Sequence, residues 1–345
     1  MDDLDLVLNL PGGVARFPIH AGALKAWYDF GLSRPKKMIC TSAGALTAST
    51  FAGWNDESFE KGIKIIEELT PAHIFTYHRG LKVKLTALGI ASLGLSAIVL
   101  FDDQVSKGKK VAMGLGGLIL LLVTEGMVGR EFLLNESLVS VDPLINLLEK
   151  KLDFNANFNS SIDIVILVAD ANKPGKIIFT NRDILNSDSQ NPEHRQRWLR
   201  VLRATSRIPG KFSFVQIDGI NTVDGEVWTD FPINLMKRHK KVVRLDYWPP
   251  LQPESSPKDW MSDLSRSFDI MRDRCTQKKM DNYEYERRHN PALPEIFYLR
   301  LSPHLFGQMP RIKMHKFTSG DMKALINLGY QSVKEQQLAI REYLG

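Results

Sequence analysis

Two stretches of sequence decide the fold: residues 4–13 read LDLVLNLPGG, and residues 37–53 read KMICTSAGALTASTFAG. In the first stretch, a leucine at every second position predicts a strand, and the Pro-Gly-Gly that follows predicts a tight turn. In the second, a short apolar strand runs into Ser42 and then into a helix of small residues. Between them we expect a helix with Pro18 in its first turn and Gly31 as its C-terminal cap. This order predicts the opening of a parallel α/β sheet.

The rest of the chain continues the alternation of strands and helices. Its apolar patterns predict strands over 162–169, 177–180, 241–245 and 296–301, and helices over 143–152, 193–205, 257–288 and 319–344. The sequence contains no internal repeat. An α/β fold is therefore expected over both halves of the chain.

The composition is that of an ordinary globular protein, since the 345 residues are 43% hydrophobic and 24% charged. These values exclude a disordered chain, a collagen-like protein and a disulfide scaffold. The two cysteines, Cys40 and Cys275, stand far apart in sequence, which indicates a reducing compartment and argues against a structural zinc site. The acidic start over 1–5 is unlike the basic start of a signal peptide, so we expect a cytoplasmic catalytic domain and no secretion signal.

The net charge of +6 and the pI near 9.1 indicate an anionic partner, either a membrane surface or a nucleic acid. The sequence has neither a nucleic-acid-binding motif nor an interleaving of aromatic and basic residues. We therefore expect a membrane, and not a nucleic acid, as the anionic partner.

Three short patches carry residue types suited to catalysis. Gly12 and Gly13 lie at a turn between a strand and a helix, where backbone N–H groups are free to hold a phosphate or an oxyanion. Residues 40–44 read CTSAG, a form of the nucleophile elbow, which exposes a serine hydroxyl on a sharp strand-to-helix turn. Such a turn needs small residues two before and two after the serine. Asp224 and Gly225 form the third patch.

Each patch taken alone also has a structural interpretation. A Gly-Gly turn before a helix is common, and a serine at the start of a helix often serves as its cap. An Asp-Gly pair between short strands is usually a hairpin turn. The patches gain meaning from their order along the chain.

In that order the three patches resemble the patatin-like phospholipases, lipid acyl hydrolases that use a Ser-Asp dyad. The residues that match the family motifs GGGxRG, GxSxG and DG[GA] are Gly12, Gly13 and Arg16, then Ser42 and Gly44, then Asp224 and Gly225. A segment that precedes the aspartate in the family is matched by Ala204, Ser206, Pro209 and Phe212, and Pro232 matches a proline that follows it. The resemblance covers residues 4–53 and 130–245.

The resemblance implies a fold, an activity and a site. The fold is a three-layer αβα sandwich with a mostly parallel central sheet, as a single catalytic domain over 1–345. In the reaction, Asp224 takes the proton of Ser42, which attacks an ester carbonyl to give an acyl-enzyme that water hydrolyses. The oxyanion is held by the backbone amides of Gly12, Gly13 and Val14. Arg16 stabilises this loop or binds the lipid phosphate, and neither a cofactor nor a metal is required.

Five residues depart from the family pattern: Val14, Phe17, Cys40, Glu226 and Asp230. The first four stand where the family has small residues, mainly glycine, and the fifth replaces an asparagine. A β-branched residue resists a positive φ, so Val14 would weaken an oxyanion loop that needs this conformation. Losing one oxyanion donor lowers the rate by about a hundredfold or more. The alternative function is therefore a catalytically impaired patatin-like protein that binds lipid or a partner at a membrane.

A Ser-His-Asp triad is a further alternative mechanism, with His239, His289 or His304 as the base. An α/β-hydrolase places its serine after several strands, whereas Ser42 follows only the second predicted strand. The dyad is therefore the interpretation that the sequence favours.

One part of the chain is far more apolar than the rest. Residues 85–101 and 111–124 contain no charged residue, and a polar turn over 102–110 joins them. At 17 and 14 residues, both runs are short for a membrane span, which needs about 20. We expect 85–128 to be an inserted apolar helical hairpin. It is interpreted as two transmembrane helices, as a shallow hairpin in one leaflet, or as buried helices that cover the active-site cleft.

Together these features predict a membrane-associated lipid acyl hydrolase of the phospholipase A or lysophospholipase type. Its expected substrate is a phospholipid or another acyl-ester lipid. Two spans in the insert would keep both catalytic halves of the chain on the same side of the membrane, as an assembled site requires.

Overall fold

The computed structural model describes residues 4–13, 17–74, 76–77, 139–185, 191–207, 213–228, 231–247, 260–310 and 316–345. The side chains of Tyr77, Val139, Ile184, Leu185 and residues 260–273 are not included in that description.

The elements below are numbered in chain order over the described residues. The strands are β1 (Leu6–Leu10), β2 (Lys37–Cys40), β3 (Thr76–Tyr77), β4 (Val139–Ser140), β5 (Asp163–Asp170), β6 (Lys176–Thr180), β7 (Val215–Ile217), β8 (Ile220–Asp224), β9 (Lys241–Leu245) and β10 (Ile296–Leu299). The helices are α1 (Phe17–Asp29), α2 (Ser42–Thr50), α3 (Asp56–Glu67), α4 (Pro71–Ile74), α5 (Asp142–Lys151), α6 (Phe154–Phe158), α7 (Arg182–Leu185), α8 (Pro192–Thr205), α9 (Ile233–Met236), α10 (Trp260–His289), α11 (Pro303–Gly307) and α12 (Ser319–Leu344). A 3-10 turn covers Gly225–Val227.

The central sheet is mostly parallel, as expected. Strands β10, β9, β1, β2 and β5 lie side by side in that order, and each neighbouring pair is parallel. Strands β6 and β8 both pair with β5 in the antiparallel direction, and β7 pairs with β8. Because the parallel strands all run the same way, the motifs that follow β1 and β2 lie at one edge of the sheet.

Strands β2 and β8 lie along the same edge of β5. Val165 and Ile166 pair with β2 and β6 at once, so β2 and β6 occupy opposite edges of β5. Val168 and Ala169 pair with β6 and β8 at once, so β8 also lies opposite β6. The two strands therefore meet end to end, and only the row of Leu167 separates them.

Both faces of the sheet are covered by helices, which gives the three layers of the predicted fold. Leu6, Leu8 and Leu10 of β1 belong to a core that includes buried residues of α1, α2, α8 and α12. Val7, on the opposite face, belongs to a second core with residues of α9 and α10, among them Met280. Burial on both faces explains why β1 is apolar throughout except for Asn9.

Most element predictions are confirmed with small shifts of their ends. The strand over 241–245 and the helix over 319–344 have the predicted bounds, and Gly31 caps α1 with a φ of +58°. The first strand begins at Leu6, two residues later than predicted, because Leu4 precedes the paired rows of the sheet. The predicted start of the helix over 257–288 lies outside the described residues, which show α10 from Trp260 onward.

The predicted apolar hairpin, residues 85–128, lies outside the described residues. Within the ranges that the structure does describe, no helix combines the length and the apolar character needed to cross a membrane.

Candidate active site

Ser42 occupies a strained turn between β2 and α2. It is the first residue of the helix, its φ is +49°, and only 5% of it is exposed. Positive φ is unfavourable for a residue with a Cβ, and it persists where the surrounding structure enforces it. The helix cap is Thr41, which makes no side-chain capping bond. The interpretation of Ser42 as an ordinary helix cap is therefore wrong, and a positive φ at a strand-to-helix turn is the strained geometry that a nucleophile elbow requires.

Thr205, the last residue of α8, holds Ser42 in this conformation. The backbone N–H of Ser42 donates to Thr205 Oγ1 at 2.7 Å, and the same hydroxyl donates to the Leu167 carbonyl at 3.0 Å. Leu167 marks the gap between the ends of β2 and β8. The threonine hydroxyl thus fills this gap and ties the elbow to β5.

The two small residues predicted for the elbow, Cys40 and Gly44, lie at tightly packed positions. A Cβ added to Gly44 would come within 2.1 Å of the Leu10 carbonyl oxygen, because α2 passes directly over the end of β1. Cys40 is fully buried between Leu10 and Ile166, its partners on the two neighbouring strands. Burial raises the pKa of the Cys40 thiol well above its usual range, so this cysteine is a small packing residue.

Asp224 ends β8 and is 1% exposed. Its backbone N–H donates to the Arg207 carbonyl, and its side chain accepts a hydrogen bond from the N–H of Glu226, both at 3.0 Å. The hairpin-turn interpretation of Asp224 and Gly225 is wrong. The hairpin between β7 and β8 turns at Asp218 and Gly219, both with positive φ, as an Asp-Gly turn of this kind requires.

The sheet brings Ser42 and Asp224 to the same place. Cys40 lies opposite Ile166 and Asp224 lies opposite Val168, two residues further along the same edge of β5. Two residues of an extended strand span about 6.6 Å. Cross-strand partners point to the same face, so Asp224 shares the face of Val168, which packs in the core that contains α2. A buried carboxylate therefore lies beside the start of the serine helix.

Gly12 and Gly13 are buried at the end of β1, next to this pair. The position that a Cβ on Gly12 would take lies 2.1 Å from Oε1 of Glu226 and 2.2 Å from its Cδ. Glu226 therefore packs its carboxyl group directly on Gly12, the first glycine of the predicted oxyanion loop. The other predicted residues of that loop, Val14 and Arg16, lie outside the described residues.

Arg207 is a site residue that the sequence analysis did not single out. The residue is 5% exposed, and its guanidinium donates at 2.6 Å to both the carbonyl and the hydroxyl oxygen of Ser213. Burial, with Arg203 nearby, lowers the pKa of Arg207 to about 10. Its carbonyl accepts from Asp224, so Arg207 positions the aspartate while it joins the two ends of the segment 208–212.

A row of buried polar contacts crosses three strands just before the two glycine-containing motifs. The Asn9 amide donates to the Ile39 carbonyl at 2.9 Å, and Arg244 donates to Asn9 Oδ1 at 2.7 Å. Asn9 precedes Leu10, and Ile39 precedes Cys40, so these bonds fix β1 and β2 directly before both turns. The signal in the sequence is a polar residue within an otherwise apolar strand.

The three histidines proposed for a triad have contacts elsewhere. His239 contacts Asp5 at 2.7 Å, before β1 and thus at the amino end of the sheet. His304 contacts Glu335 of α12 at 2.9 Å. His289 lies at the end of α10, with its ring nitrogen 2.9 Å from a backbone carbonyl of the same helix. Each contact lies outside the region of Ser42 and Asp224.

Within the described ranges, no three His, Cys, Asp or Glu side chains are grouped so as to hold a metal ion.

Comparison with known proteins identifies the family of the chain. The patatin-like phospholipase family matches residues 8–237, which include the elbow and the aspartate motif. A search of the curated proteins finds no significant match. Among solved structures, VipD from Legionella pneumophila is 11% identical with a TM-score of 0.39, and the alignment covers 98% of this chain and 67% of VipD. Human GIVD cytosolic phospholipase A2, solved with methyl γ-linolenyl fluorophosphonate, is 13% identical with a TM-score of 0.42. That alignment covers 98% of this chain and 58% of the phospholipase. The family match over two thirds of the sequence shows that the chain belongs to the patatin-like phospholipase family.

Proposed function

We propose that this protein is a lipid acyl hydrolase that cleaves fatty-acyl esters, with Ser42 as the nucleophile and Asp224 as the base. Family membership supports an acyl hydrolase of lipids. The observation that carries the dyad is the end-to-end meeting of β2 and β8 on one edge of β5. It brings a serine in a strained turn and a buried carboxylate together from distant parts of the sequence.

In the first step the Asp224 carboxylate accepts the hydroxyl proton of Ser42 while Ser42 Oγ attacks the ester carbonyl carbon. The carbonyl oxygen becomes an oxyanion, and the alcohol leaves with the proton that Asp224 returns to it. The product is an acyl-enzyme. Water then attacks its carbonyl with Asp224 again as the base, which releases the fatty acid and restores the serine.

Backbone groups stabilise the negative charge that develops. Ser42 starts α2, so the positive end of the helix dipole lies at the reacting oxygen. The amides of Gly12, Gly13 and Val14 are the proposed oxyanion donors, and Arg16 is proposed to stabilise their loop or to bind a lipid phosphate. We propose a phospholipid or another acyl-ester lipid as the substrate, cleaved at a membrane.

The proposal is tested by the release of fatty acid from phospholipid vesicles. Ser42→Ala and Asp224→Asn should each lower the rate by about a thousandfold or more, because either change removes a group that takes part in bond making. Ser49→Ala is the matched control on the same helix: Ser49 is 1% exposed, and the described residues provide no hydrogen-bond partner for its hydroxyl. Asp163→Asn, at the opposite end of β5, is the control for the aspartate.

Equal release by the parent protein and Ser42→Ala would disprove the dyad. If activity survives in Asp224→Asn but not in Ser42→Ala, Ser42 would still be the nucleophile, and a group other than Asp224 would have to act as the base.

One observation favours a second candidate function. Glu226, where the family has a small residue, packs its carboxyl group on Gly12 and so narrows the space beside the proposed oxyanion loop. A patatin-like protein with little turnover, which binds lipid or a partner at a membrane, would tolerate this arrangement. Covalent labelling of Ser42 by a fluorophosphonate ester would argue against it, because only an activated serine reacts with such a probe.

A further inference from the structure

An exposed surface of mixed character lies directly after the aspartate motif. Val227 and Trp228 follow Asp224 by three and four residues and are 56% and 45% exposed. Ile178, on β6 at the other edge of β5, is 39% exposed. Large apolar side chains with this much exposure beside a proposed lipid site are the kind of residues that enter a bilayer interface.

Three basic side chains accompany these apolar residues. Lys279 donates to the Trp228 carbonyl at 3.3 Å, which places the cation of α10 beside the tryptophan. Lys176 shares a face of β6 with Ile178, two residues away. Lys279 and Arg238 are also the cationic neighbours that, after burial, lower the pKa of Lys176. The three cations therefore lie close enough to repel one another. An anionic surface beside them would reduce this electrostatic repulsion.

The sheet places this surface close to the aspartate motif but on the opposite face. Ile178 pairs with Leu167, which packs in the core that contains α10, whereas Asp224 pairs with Val168, which packs in the core that contains α2. Lys176 lies opposite Ala169 on β5, and Ala169 lies opposite Val223, the residue before Asp224. Lys176 and Val223 are thus two strand spacings apart, about 10 Å.

We propose that these residues form a docking surface for an anionic bilayer, called here the Trp228 surface: Lys176, Ile178, Val227, Trp228, Arg238 and Lys279. The apolar side chains enter the interfacial layer, and the cations contact anionic headgroups. This inference rests on the proposed lipid substrate, and it is distinct from the prediction for residues 85–128. It gives the described part of the chain its own contact with the membrane.

The test uses the emission of Trp228 in the full-length chain. Ser42→Ala serves as the background, so that no lipid is consumed and a failure of catalysis cannot affect the result. The emission of Ser42→Ala minus that of Ser42→Ala with Trp228→Phe isolates Trp228 from the other tryptophans. Both proteins are mixed with vesicles of equal parts phosphatidylcholine and phosphatidylglycerol, with or without brominated acyl chains.

The proposal predicts that brominated chains quench the Trp228 emission, and that Lys176→Glu combined with Arg238→Glu reduces the quenching. Lys323→Glu combined with Lys334→Glu, two lysines of α12, is the matched control and should leave it unchanged. Trp228 emission that brominated lipid does not quench would overturn the proposal, even where other parts of the chain bind the vesicles. An acidic protein partner for this surface would give that result. Quenching that the Lys176 and Arg238 changes leave intact would overturn the role of the cations.

Discussion

Cys40 and Asp224 lie on the same edge of β5, opposite Ile166 and Val168, with only the row of Leu167 between them. Strand β2 approaches this gap from one side and β8 from the other, in opposite directions. The chain leaves β2 into the serine turn and leaves β8 into the 3-10 turn, so both turns occur at one point of the sheet. The proposed dyad depends on this meeting.

The hydroxyl of Thr205 fills the gap, so its removal should impair Ser42 specifically. Thr205→Val keeps the shape of the side chain but loses both hydrogen bonds, and each bond contributes about 1 kcal/mol to stability. We expect the kcat for ester hydrolysis to fall by about tenfold or more with little change in KM, because the strained φ of Ser42 loses its support.

Ser160→Ala is the matched control for Thr205→Val. The Ser160 hydroxyl also accepts from a backbone N–H, that of Ile162, and donates to a carbonyl, that of Ala52. Ser160→Ala should therefore lower the free energy of unfolding by about as much as Thr205→Val, and it should leave kcat unchanged. A Thr205→Val variant that is destabilised but retains full kcat would show that the bond serves the fold alone.

Glu226 should restrain the activity. A carboxylate on Gly12 opposes the negative charge of the tetrahedral intermediate, and two like charges about 4 Å apart near a protein surface repel by about 4 kcal/mol at most. We expect Glu226→Gln and Glu226→Ala each to raise kcat by about tenfold in the vesicle assay.

The comparison of these two variants separates charge from size. If kcat rises in Glu226→Ala but not in Glu226→Gln, the volume of the Glu226 side chain, and not its charge, would be what lowers kcat. A fall in both would contradict the prediction and make Glu226 a supporting residue of the loop. Glu149→Gln, a helix-surface glutamate that contacts Gln196, is the control.

Gly44→Ala should disrupt the elbow through the backbone. Its Cβ would lie 2.1 Å from the Leu10 carbonyl oxygen, which belongs to the central strand and has no room to move. We expect a loss of about 3 kcal/mol or more in the free energy of unfolding, measured by urea denaturation.

Gly320→Ala provides the contrast, since the nearest atom to its added Cβ, the hydroxyl oxygen of Thr318, is 3.5 Å away. This change should alter stability by less than about 0.5 kcal/mol. Equal stability of the two variants would mean that α2 does not pass as closely over β1 as the structure shows.

Stability should depend on pH through His20. This histidine is 2% exposed, and burial, together with the charge of Arg244, lowers its pKa from 6.5 to about 3. In the unfolded chain His20 is therefore protonated below about pH 6.5, whereas in the folded chain it stays neutral down to about pH 3. The contribution of neutral His20 to the free energy of unfolding is fully present above about pH 6.5, and it is lost as the pH falls from about 6.5 to about 3.

Between pH 6 and pH 5, the parent protein should lose about 1.2 kcal/mol more than His20→Gln in the free energy of unfolding. His289→Gln, at the exposed end of α10, should show the pH dependence of the parent. An identical pH dependence in the parent and in His20→Gln would contradict the buried, neutral state of His20.

Local patterns in the sequence predicted much of the fold. The leucine alternation before Pro11 predicted β1, and the residues around Ser42 predicted β2 and the turn into α2. These predictions succeeded because the periodicity of a strand and the residue preferences of a turn depend on residues close together in sequence. The same local signal misassigned one turn. Asp218-Gly219 and Asp224-Gly225 are identical dipeptides, and only the pairing of β7 with β8 shows that the first is the hairpin.

The long-range part of the site was not predictable in this way. The bond between Ser42 and Thr205 joins residues 163 positions apart, and a lone threonine at a helix end gives no signal of such a partner. The contact of Glu226 with Gly12 likewise depends on how β8 ends beside β1. Family motifs pointed to Ser42 and Asp224, while the pairing registers of β2 and β8 with β5 support the proposal that the two residues act together.

The most direct test of the Ser42–Asp224 dyad is the rate at which a fluorophosphonate ester labels Ser42. The label is located by peptide mass mapping in the parent, in Asp224→Asn and in Ser49→Ala. We expect Ser42 to be the labelled residue in the parent and in Ser49→Ala, with equal rates. Asp224→Asn should slow labelling by about a hundredfold or more, since the base is lost. Labelling at Ser42 that proceeds equally fast in Asp224→Asn, or a label on another residue of the parent, would contradict the dyad.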